Sequence, residues 1–456
     1  MSGLYGSLSV ALSSLMASQQ AMETATNNVA NANTPGYSRQ RPDLVPGDPL
    51  IEGNLSFGSG VLLQRIESLR DPILEIQLNH ETQNQSKLNT SLGALEQMQT
   101  MFSSASTGIG ADITNLFASL QQLSPDPSNV SLRQAVLTAA GNLATDFNTT
   151  AGNLETQRNN LDLNVVQTVS EINTLTGQIA SVSQQIVSLE NVHQDANTLI
   201  DKQTNLIRQL STLVDVSVIQ TEHGIALTTS NGTPLVSGGQ SFDLTSQTGA
   251  GGRQRILSGS QDITDSLTGG SLSGLIQFRD QEIPSISRRL DQLAVGLASA
   301  LNAANQAGFD LNGNAGGNLF LAPPAGGVGA AGALKVSITD PALIAASSDG
   351  TPGSNGNLAA LLAVHDQAVA AGQKPLAFYS NLVFKVGSDT SNTSAEVDAS
   401  SQILQQLQDQ RSSISAVSLD EEAANMIKYQ TAYQAAARVV TTVNSMLDAA
   451  VNLGRY

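Results

Sequence analysis

Residues 418–453 read SLDEEAANMIKYQTAYQAAARVVTTVNSMLDAAVNL and contain neither proline nor glycine. Apolar residues recur at every third and fourth position, which predicts a long amphipathic helix with a heptad seam. Ser418 is a suitable N-cap, and three carboxylates follow where the helix dipole favours negative charge. Gly454 follows the helix as a C′ glycine would. The predicted seam consists of Leu419, Ala423, Met426, Gln430, Tyr433, Ala437, Val440, Asn444, Leu447 and Val451.

The opposite end of the chain repeats this spacing between Leu4 and Ala32. A lone amphipathic helix cannot bury its apolar stripe. We therefore expect the two terminal helices to pair as a coiled coil, to join a polymer, or to stay disordered until they do so. The predicted N-terminal seam consists of Leu4, Leu8, Ala11, Leu15, Ser18, Met22, Ala25, Val29 and Ala32.

Composition excludes several classes of protein. The chain carries 38 Asp and Glu against 21 Lys and Arg, and its formal charge of −17 disfavours nucleic acid and anionic membranes as partners. It has no cysteine, so disulfides, thiolate nucleophiles and cysteine metal sites are excluded. The sequence shows no apolar run of about 18 residues that predicts a membrane span, and no signal peptide is visible.

A motif that is rich in asparagine, proline and glycine ends the first predicted helix. Asparagine favours helix ends and Pro-Gly favours turns, so the motif predicts a helix stop followed by an extended exit. It also resembles the signature that closes the N-terminal helix in the rod, hook and hook-associated proteins of the bacterial flagellum. The continuation Ser-Arg-Gln is most similar to the hook-associated protein 1 (FlgK) family. The motif consists of Asn33, Thr34, Pro35, Gly36, Tyr37, Ser38, Arg39 and Gln40.

The far end of the chain supports the same resemblance. Residues 417–430 and 433–438 are similar to the C-terminal helix of that family, including its acidic start at Asp420, Glu421 and Glu422. Shorter stretches between the ends, at residues 199–203, 274–280 and 340–346, also resemble the family. One departure lies before Gly308, where family members usually place a histidine and this chain has Asn305 and Gln306.

Between its ends the chain alternates between helical and β-like periodicity. A heptad seam runs from Leu154 to Leu189, and near Asp215 the period of apolar residues changes from 3.6 to 2. Asn231-Gly232 between two apolar runs predicts a β-hairpin. Further helices are predicted at 73–102, 112–123, 195–214, 272–305, 358–370, 375–386 and 394–417.

These patterns predict a mainly α fold with a smaller β insertion. Long terminal helices pair as a coiled coil, a helical bundle forms the middle, and a β-rich domain is inserted as the outer part. We expect a terminal polymerisation domain at 1–40 plus 416–456, a mainly helical middle domain with short strands at 41–211 plus 275–415, and the β-rich outer domain at 212–274.

No motif predicts a catalytic, cofactor or metal site. Asp310, Asn312 and Asn314 have the first ligand spacings of an EF-hand loop, but Ala315 and Leu321 occupy the positions that require Gly and Glu. A polar turn is the favoured interpretation. The four histidines lie on separate segments without metal-ligand spacing: His80, His193, His223 and His365. A paired-carboxylate site stays open, because carboxylates are plentiful and nothing singles out one pair.

The resemblance implies a structural subunit, not an enzyme, that forms the hook–filament junction on the distal end of the hook and allows filament assembly. It implies export without a cleaved signal peptide and an extracellular place in the flagellum. Implied partners are copies of itself, hook protein below, the next hook-associated protein or the filament above, the export apparatus and a FlgN-type chaperone at the C-terminal helix. The residues expected to pack the terminal helices in the polymer are Leu4, Leu8, Leu15, Met22, Val29, Leu419, Met426, Tyr433, Val440, Leu447 and Val451.

Two alternatives stay open. The chain could be another axial subunit of the flagellum, such as a hook, rod or filament protein. It could also be an enzyme on this scaffold, such as a wall-degrading or proteolytic β insertion, although only unassigned carboxylates support that reading.

Overall fold

The computed structural model describes residues 2–52, 55–102, 108–221 and 224–453. These residues form a mainly helical fold with long terminal helices and a small β-rich insertion, as the sequence predicts. The helices are α1 (Ser2–Asn31), α2 (Pro72–Phe102), α3 (Ile109–Leu123), α4 (Val130–Glu190), α5 (Asn197–Leu213), α6 (Gly270–Gln277), α7 (Ile283–Gln306), α8 (Ala330–Ala333), α9 (Leu358–Ala363), α10 (Pro375–Ser415) and α11 (Leu419–Leu453). A π-helical turn, Phe278–Glu282, joins α6 to α7.

The strands form small antiparallel sheets. β1 pairs with β4, and β2 pairs with β3. A four-stranded sheet has the order β5-β6-β7-β8, and β10 lies between β9 and β11 in another sheet. The strands are β1 (Gln40–Pro46), β2 (Leu50–Glu52), β3 (Leu55–Phe57), β4 (Val61–Ser68), β5 (Ser217–Thr221), β6 (Gly224–Thr228), β7 (Pro234–Ser237), β8 (Gln240–Ser241), β9 (Leu244–Thr248), β10 (Gln254–Ser258) and β11 (Gln261–Asp262).

The chain forms two compact units. The first comprises residues 1–83, 171–244 and 401–456, and the second comprises residues 84–170 and 245–400. We call them the terminal unit and the middle unit.

In the terminal unit, α1 packs along α11 and also contacts β1 and β4. The four-stranded sheet buries apolar residues from β6 and β7, among them Leu227, Leu235 and Val236. α4 contacts the first residue of β9, because Asn173 forms hydrogen bonds with both the N–H and the C=O of Leu244. The predicted hairpin at Asn231-Gly232 is confirmed by the antiparallel pairing of β6 with β7.

In the middle unit, three buried asparagines hold the long loop after α7. Asn302 forms two hydrogen bonds with the backbone of Phe320. Asn305 donates to the C=O of Gly317 and accepts from the N–H of Ala345. Asn357 donates to the C=O groups of Ala304 and Ala345. Loop backbone that is buried must find hydrogen-bond partners, and these carboxamides supply them.

Two expected helix boundaries are wrong. α10 is continuous over the stretch where the sequence suggested two helices, and it passes through Gly387. One glycine inside a helix costs about 1 kcal/mol, which the buried side chains of Phe378, Leu382 and Val386 outweigh. The helix expected at 358–370 ends at Ala363, and the chain then turns through Ala371 with a positive φ of 46°.

A buried arginine joins three segments of the middle unit. The side chain of Arg279, in the π-helical turn, is 1% exposed and contacts Asp162 of α4 at 2.5 Å and Asp280 at 2.7 Å. It also donates to the C=O of Gln254 in β10. Burial by itself would lower the pKa of Arg279, but the hydrogen bonds and charges of the two carboxylates raise it above its ordinary value.

We predict that Arg279→Ala destabilises the middle unit, because the substitution leaves Asp162 without its cation and Asp280 with Arg253 alone. Loss of one partner of a buried ion pair costs roughly 3–5 kcal/mol. Urea unfolding followed by circular dichroism measures the change. The control is Arg255→Ala, whose half-exposed guanidinium pairs with Asp262 and should contribute less than about 1 kcal/mol. Equal losses for the two variants would contradict a role for the buried cluster.

Candidate functional site

The predicted helix stop is confirmed at the end of α1. The helix ends at Asn31, and the N–H groups of Thr34 and Tyr37 close two successive turns onto Asn31 and Thr34. Gly36 has a φ of +81°, a left-handed conformation that glycine adopts without strain. The chain then continues as β1 from Gln40.

Asn28 fastens the returning chain to α1. Its side chain, which is almost fully buried, donates to the C=O of Gln40 at 2.8 Å and accepts from the N–H of the same residue at 2.9 Å. It also accepts from the hydroxyl of Tyr37 at 2.8 Å. Burial and the nearby charges of Asp201 and Glu422 raise the pKa of Tyr37 to about 12, so the phenol is a neutral donor at physiological pH.

Asp201 of α5 binds Ser38 of the motif. Its carboxylate accepts from the N–H of Ser38 at 3.3 Å and lies 3.5 Å from Nε of Arg70. Burial raises the pKa of Asp201, whereas Arg70 and the hydrogen bonds from Ser38 oppose that shift. The stretch at residues 199–203, which resembles the family in sequence, therefore contributes a side chain that binds the motif.

Arg39 joins the motif to the start of α11. Its Nε contacts Glu422 at 2.7 Å, and its Nη1 contacts Glu421 at 2.5 Å. The Glu422 side chain is only 3% exposed, whereas that of Glu421 is 62% exposed, so Glu422 is the buried charge that depends on Arg39. The backbone of Arg39 also donates to the C=O of Ser415 and accepts from the N–H of Leu69. Hydrogen bonds to ionised partners are stronger than neutral ones.

Glu75 of α2 provides a second ionic link. Its two carboxylate oxygens contact Arg208 of α5 at 2.7 Å and Arg411 of α10 at 2.6 Å. Arg411 also donates to the C=O of Gly36, the turn glycine of the motif. We name this set of side chains, together with residues 33–40, the motif hub: Asn28, Arg70, Glu75, Asp201, Arg208, Arg411, Glu421 and Glu422.

The hub contains two groups of residues that the sequence had identified and several that it had not. The motif at 33–40 and the acidic start of α11 were predicted separately, and the structure brings them into contact through Arg39. Asn28, Asp201 and Glu75 were missed, because they are polar residues within helices that have no periodic signal of their own. The Asn27-Asn28 pair ahead of the motif was the available hint, since asparagine is unfavourable inside a helix.

The paired terminal helices form a seam that keeps three residues of the expected one on α1, where Ala11, Ser18 and Ala25 are buried, and differs from the expected one on α11. On α1 the buried positions are small or polar, including Ala11, Ala21 and Ala25, and on α11 they are Glu422, Ala436 and Val443. The expected residues Leu4, Leu8, Leu15, Met22, Met426, Val440 and Leu447 are half-buried. Val29, Leu419, Tyr433 and Val451 are exposed.

The displacement of the seam has a steric reason. Small residues at the centre let two helix backbones approach closely, and the larger residues then flank that contact line. On α11 the contact line passes through Glu422, Tyr429, Ala436 and Val443, one residue before the expected Ala423, Gln430, Ala437 and Asn444. In this register Tyr429 and Val443 occupy the contact line in place of the polar residues Gln430 and Asn444 of the expected seam. Gly454 lies outside the described residues.

The terminal pair keeps a second apolar surface exposed. Large apolar side chains project from α1 and from α11, although each helix already buries one stripe against the other. A groove of about 800 Å³ between the two helices is lined mainly by small residues such as Gly3, Gly6, Ala432 and Ala435. Exposed apolar surface of this extent is typical of interaction sites. The exposed side chains are Tyr5, Leu12, Met16, Ile427, Val439 and Met446.

The residues considered as candidates for metal binding or catalysis have structural contacts. Asp310 accepts hydrogen bonds from the N–H groups of Asn312 and Asn314, so this segment is the polar turn that the sequence favoured. Burial and the neighbouring Asp146 raise the pKa of Asp112 to about 6, so these two carboxyl groups interact. Within the described ranges, no cluster of three His, Asp or Glu could hold a metal ion, and no helix could cross a membrane.

Comparison with known proteins identifies the family. The chain is 30% identical to flagellar hook-associated protein 1 of Bacillus subtilis, and the match covers 99% of each chain. The chain belongs to the flagellar hook-associated protein 1 family. The family member of Escherichia coli is 26% identical, over 97% of this chain and 98% of its own length.

Family models match three parts of this family member. Residues 8–37 match the flagella basal body rod protein, and residues 408–453 match the C-terminal model of the flagellar basal body rod FlgEFG protein. Residues 95–320 match the flagellar hook-associated protein FlgK helical domain. The solved structure of the flagellar hook junction protein FlgK from Burkholderia pseudomallei has the same fold, with a TM-score of 0.67 at 19% identity over 74% of this chain and all of that one.

We predict that Arg39→Ala destabilises the terminal unit, because Glu422 is then a buried carboxylate without a cation. The expected loss in the free energy of unfolding is roughly 3–5 kcal/mol, measured by urea denaturation and by faster proteolysis between Ser415 and Leu419. Arg41→Ala is the matched control, since its largely exposed guanidinium pairs with Glu67 on the surface. It should cost less than about 1 kcal/mol. A silent Arg39→Ala would show that the hub does not hold α11.

Proposed function

We propose that this chain is a structural subunit of the bacterial flagellum that forms the hook–filament junction on the distal end of the hook and allows filament assembly. The observation that carries the proposal is the match to flagellar hook-associated protein 1 over nearly the full length of both chains. The paired termini agree with it, because they bury one stripe on each other and leave another exposed.

The terminal pair is the polymerisation element of this proposal. A helix that is apolar on two sides needs two layers of contact, and a single copy supplies one of them. The half-buried leucines and methionines at the margins of the seam would complete their burial against neighbouring copies. Val29, Leu419, Tyr433 and Val451, which are exposed in one copy, would then pack between copies, so the expected polymerisation residues keep that proposed role.

The hub would set the position of the terminal pair. Arg39, Asn28 and Asp201 hold the chain where α1 ends, and Glu422 anchors α11 at the same point. A force between neighbouring copies would pass through these contacts to the rest of the terminal unit. We keep as a proposal the roles predicted from the sequence: residues 1–40 plus 416–456 would be the polymerisation domain, residues 41–211 plus 275–415 the middle domain and residues 212–274 the outer domain. This division differs from the two compact units, since residues 212–244 belong to the terminal unit and residues 245–274 to the middle unit.

Other flagellar components complete the proposed assembly. Copies of this chain would bind hook protein below and the next hook-associated protein or the filament above. The subunit would reach its extracellular place through the flagellar export apparatus without a cleaved signal peptide, and it would act mechanically, without catalysis or a cofactor. The rod-protein models that match both ends favour one alternative, another axial subunit of the flagellum.

We predict that Val443→Asp abolishes junction assembly, because it places a carboxylate at a buried position between α11 and α1. An unpaired buried polar group costs about 1–3 kcal/mol, and a charge costs more. In a strain that produces only this variant, flagellin should leak into the medium, hooks should be bare and swimming should stop. Immunogold label for the unaltered chain should lie at the hook–filament boundary.

The neighbouring substitution Thr442→Asp is the control, since Thr442 lies on the exposed face of the same turn. It should leave swimming nearly unchanged. Label along the whole hook or filament would favour the alternative axial subunit, and normal swimming with Val443→Asp would contradict the role of the terminal pair.

We further predict that the FlgN-type chaperone binds through α11, whose exposed apolar side chains would otherwise aggregate before export. A chain truncated after Val417 should lose the chaperone in a pull-down. A chain that lacks residues 2–31 is the control, because it keeps α11 and should still bind. Binding that survives the truncation would move the chaperone site elsewhere.

A further inference from the structure

The chain contains three Asn-Gly dipeptides, and the structure places them in different surroundings. In such a dipeptide the backbone nitrogen of the glycine can attack the side-chain carbonyl carbon of the asparagine, because glycine has no side chain to hinder the approach. The product is a cyclic imide, which water opens to aspartate or isoaspartate. The attack needs a glycine N–H that is free to lose its proton. The three dipeptides are Asn231-Gly232, Asn312-Gly313 and Asn355-Gly356.

Two of these glycines use their N–H groups to close turns. The N–H of Gly232 donates to the C=O of Thr229 at 2.9 Å, and the N–H of Gly313 donates to the C=O of Asp310 at 3.1 Å. Both glycines have a positive φ, which the tight turn at each place requires. The hydrogen bond must break before either nitrogen can attack, so the folded structure protects both dipeptides.

The third glycine has no such protection. Within the described part of the chain, no hydrogen bond engages the N–H of Gly356, and both Asn355 and Gly356 are exposed. The carboxamide of Asn355 donates from Nδ2 to the C=O of Ser124 at 2.9 Å, and this hydrogen bond is exposed to solvent. Nδ2 is the atom that leaves during imide formation. The bond therefore ends in the reaction but does not occupy the attacking nitrogen.

Both residues of this dipeptide have a structural reason to be there. A Cβ atom at position 356 would clash with Oγ of Ser348 and would lie 2.8 Å from its Cβ, so packing favours glycine. Ser124 is the C-cap of α3, and Asn355 supplies a hydrogen-bond donor to its carbonyl. Packing and helix capping thus place a reactive pair of residues on the surface.

The reaction would disturb contacts on both sides of the dipeptide. Asn357, the residue after Gly356, is 4% exposed and donates to the C=O groups of Ala304 and Ala345 at 2.9 and 2.7 Å. Isoaspartate at position 355 lengthens the backbone by one methylene group and would displace Asn357. Aspartate at position 355 would direct a carboxylate at the C=O of Ser124, at the end of α3 where the helix dipole is negative.

We propose that Asn355 is a site of spontaneous deamidation. The N–H of Gly356 gives its proton to hydroxide, the nitrogen bonds to Cγ of Asn355, and Nδ2 takes a proton from water and leaves as ammonia. Water then opens the imide. Cleavage of the bond from the nitrogen to Cγ gives aspartate, and cleavage of the bond to the backbone carbonyl carbon gives isoaspartate. This inference concerns the single chain and does not depend on the proposed function.

Peptide mass spectrometry of the purified full-length chain tests the site. The chain is incubated at mildly alkaline pH, and digests taken over time report the conversion of all three asparagines in one sample. We expect conversion at Asn355 to be roughly five- to tenfold faster than at Asn231 and Asn312, because the other two steps must first break a hydrogen bond. Equal rates, or faster conversion at Asn231 or Asn312, would overturn the proposal.

The same incubation in urea is the control for the role of the fold. Unfolding removes the turns at Gly232 and Gly313, so the three rates should converge. If conversion at Asn355 stays faster by the same factor in urea, the difference comes from the local sequence, and the structural argument is wrong.

Two variants test the effect of the modification on the middle unit. Asn355→Asp introduces the carboxylate of one product, whereas Asn355→Ala removes the hydrogen bond to Ser124 without adding a charge. We expect Asn355→Asp to unfold at a lower urea concentration than Asn355→Ala, because the carboxylate faces the carbonyl end of α3. Equal midpoints would overturn the expected effect on α3.

Discussion

The ion pair between Arg39 and Glu422 is the contact on which the terminal unit depends. A carboxylate that is 3% exposed is stable only with a cation beside it, and Arg39 is that cation. The two residues are separated by nearly the whole chain, so their contact brings the two ends together at a defined point. The backbone of Arg39 joins the end of α10 and the segment after β4 to this point. The pair therefore fixes where α11 begins beside α1.

The hub also uses polar groups where an apolar core would give less positional control. Asn28 satisfies both backbone groups of Gln40, and Asp201 takes the N–H of Ser38. Hydrogen bonds are directional, whereas apolar contacts tolerate sliding along a helix. Directional contacts of this kind define the register of the chain at this point. The smooth alanine-rich seam of α1 and α11 does not provide that register by itself.

In the middle unit, too, polar side chains hold separate segments in position, although the residues are different. Arg279 joins α4, β10 and the π-helical turn, and three asparagines hold the long loop after α7. Asn305 stands near the position where family members usually have a histidine, and its carboxamide both donates and accepts within the loop. The carboxamide of asparagine supplies the one donor and the one acceptor that these two hydrogen bonds require.

The sequence by itself determined the fold class, the terminal helices, the hairpin at Asn231-Gly232 and the two ends of the hub. These features depend on local periodicity, turn chemistry and motifs, which act over a few residues. The tertiary structure alone decided the register of the terminal pair, because the buried positions Glu422, Ala436 and Val443 depend on contacts between residues that are far apart along the chain. It also decided the roles of Asn28, Asp201 and Glu75, whose partners lie far away along the chain. A polar residue inside a helix carries no local sign of a distant partner, since that partner is fixed only when the chain has folded.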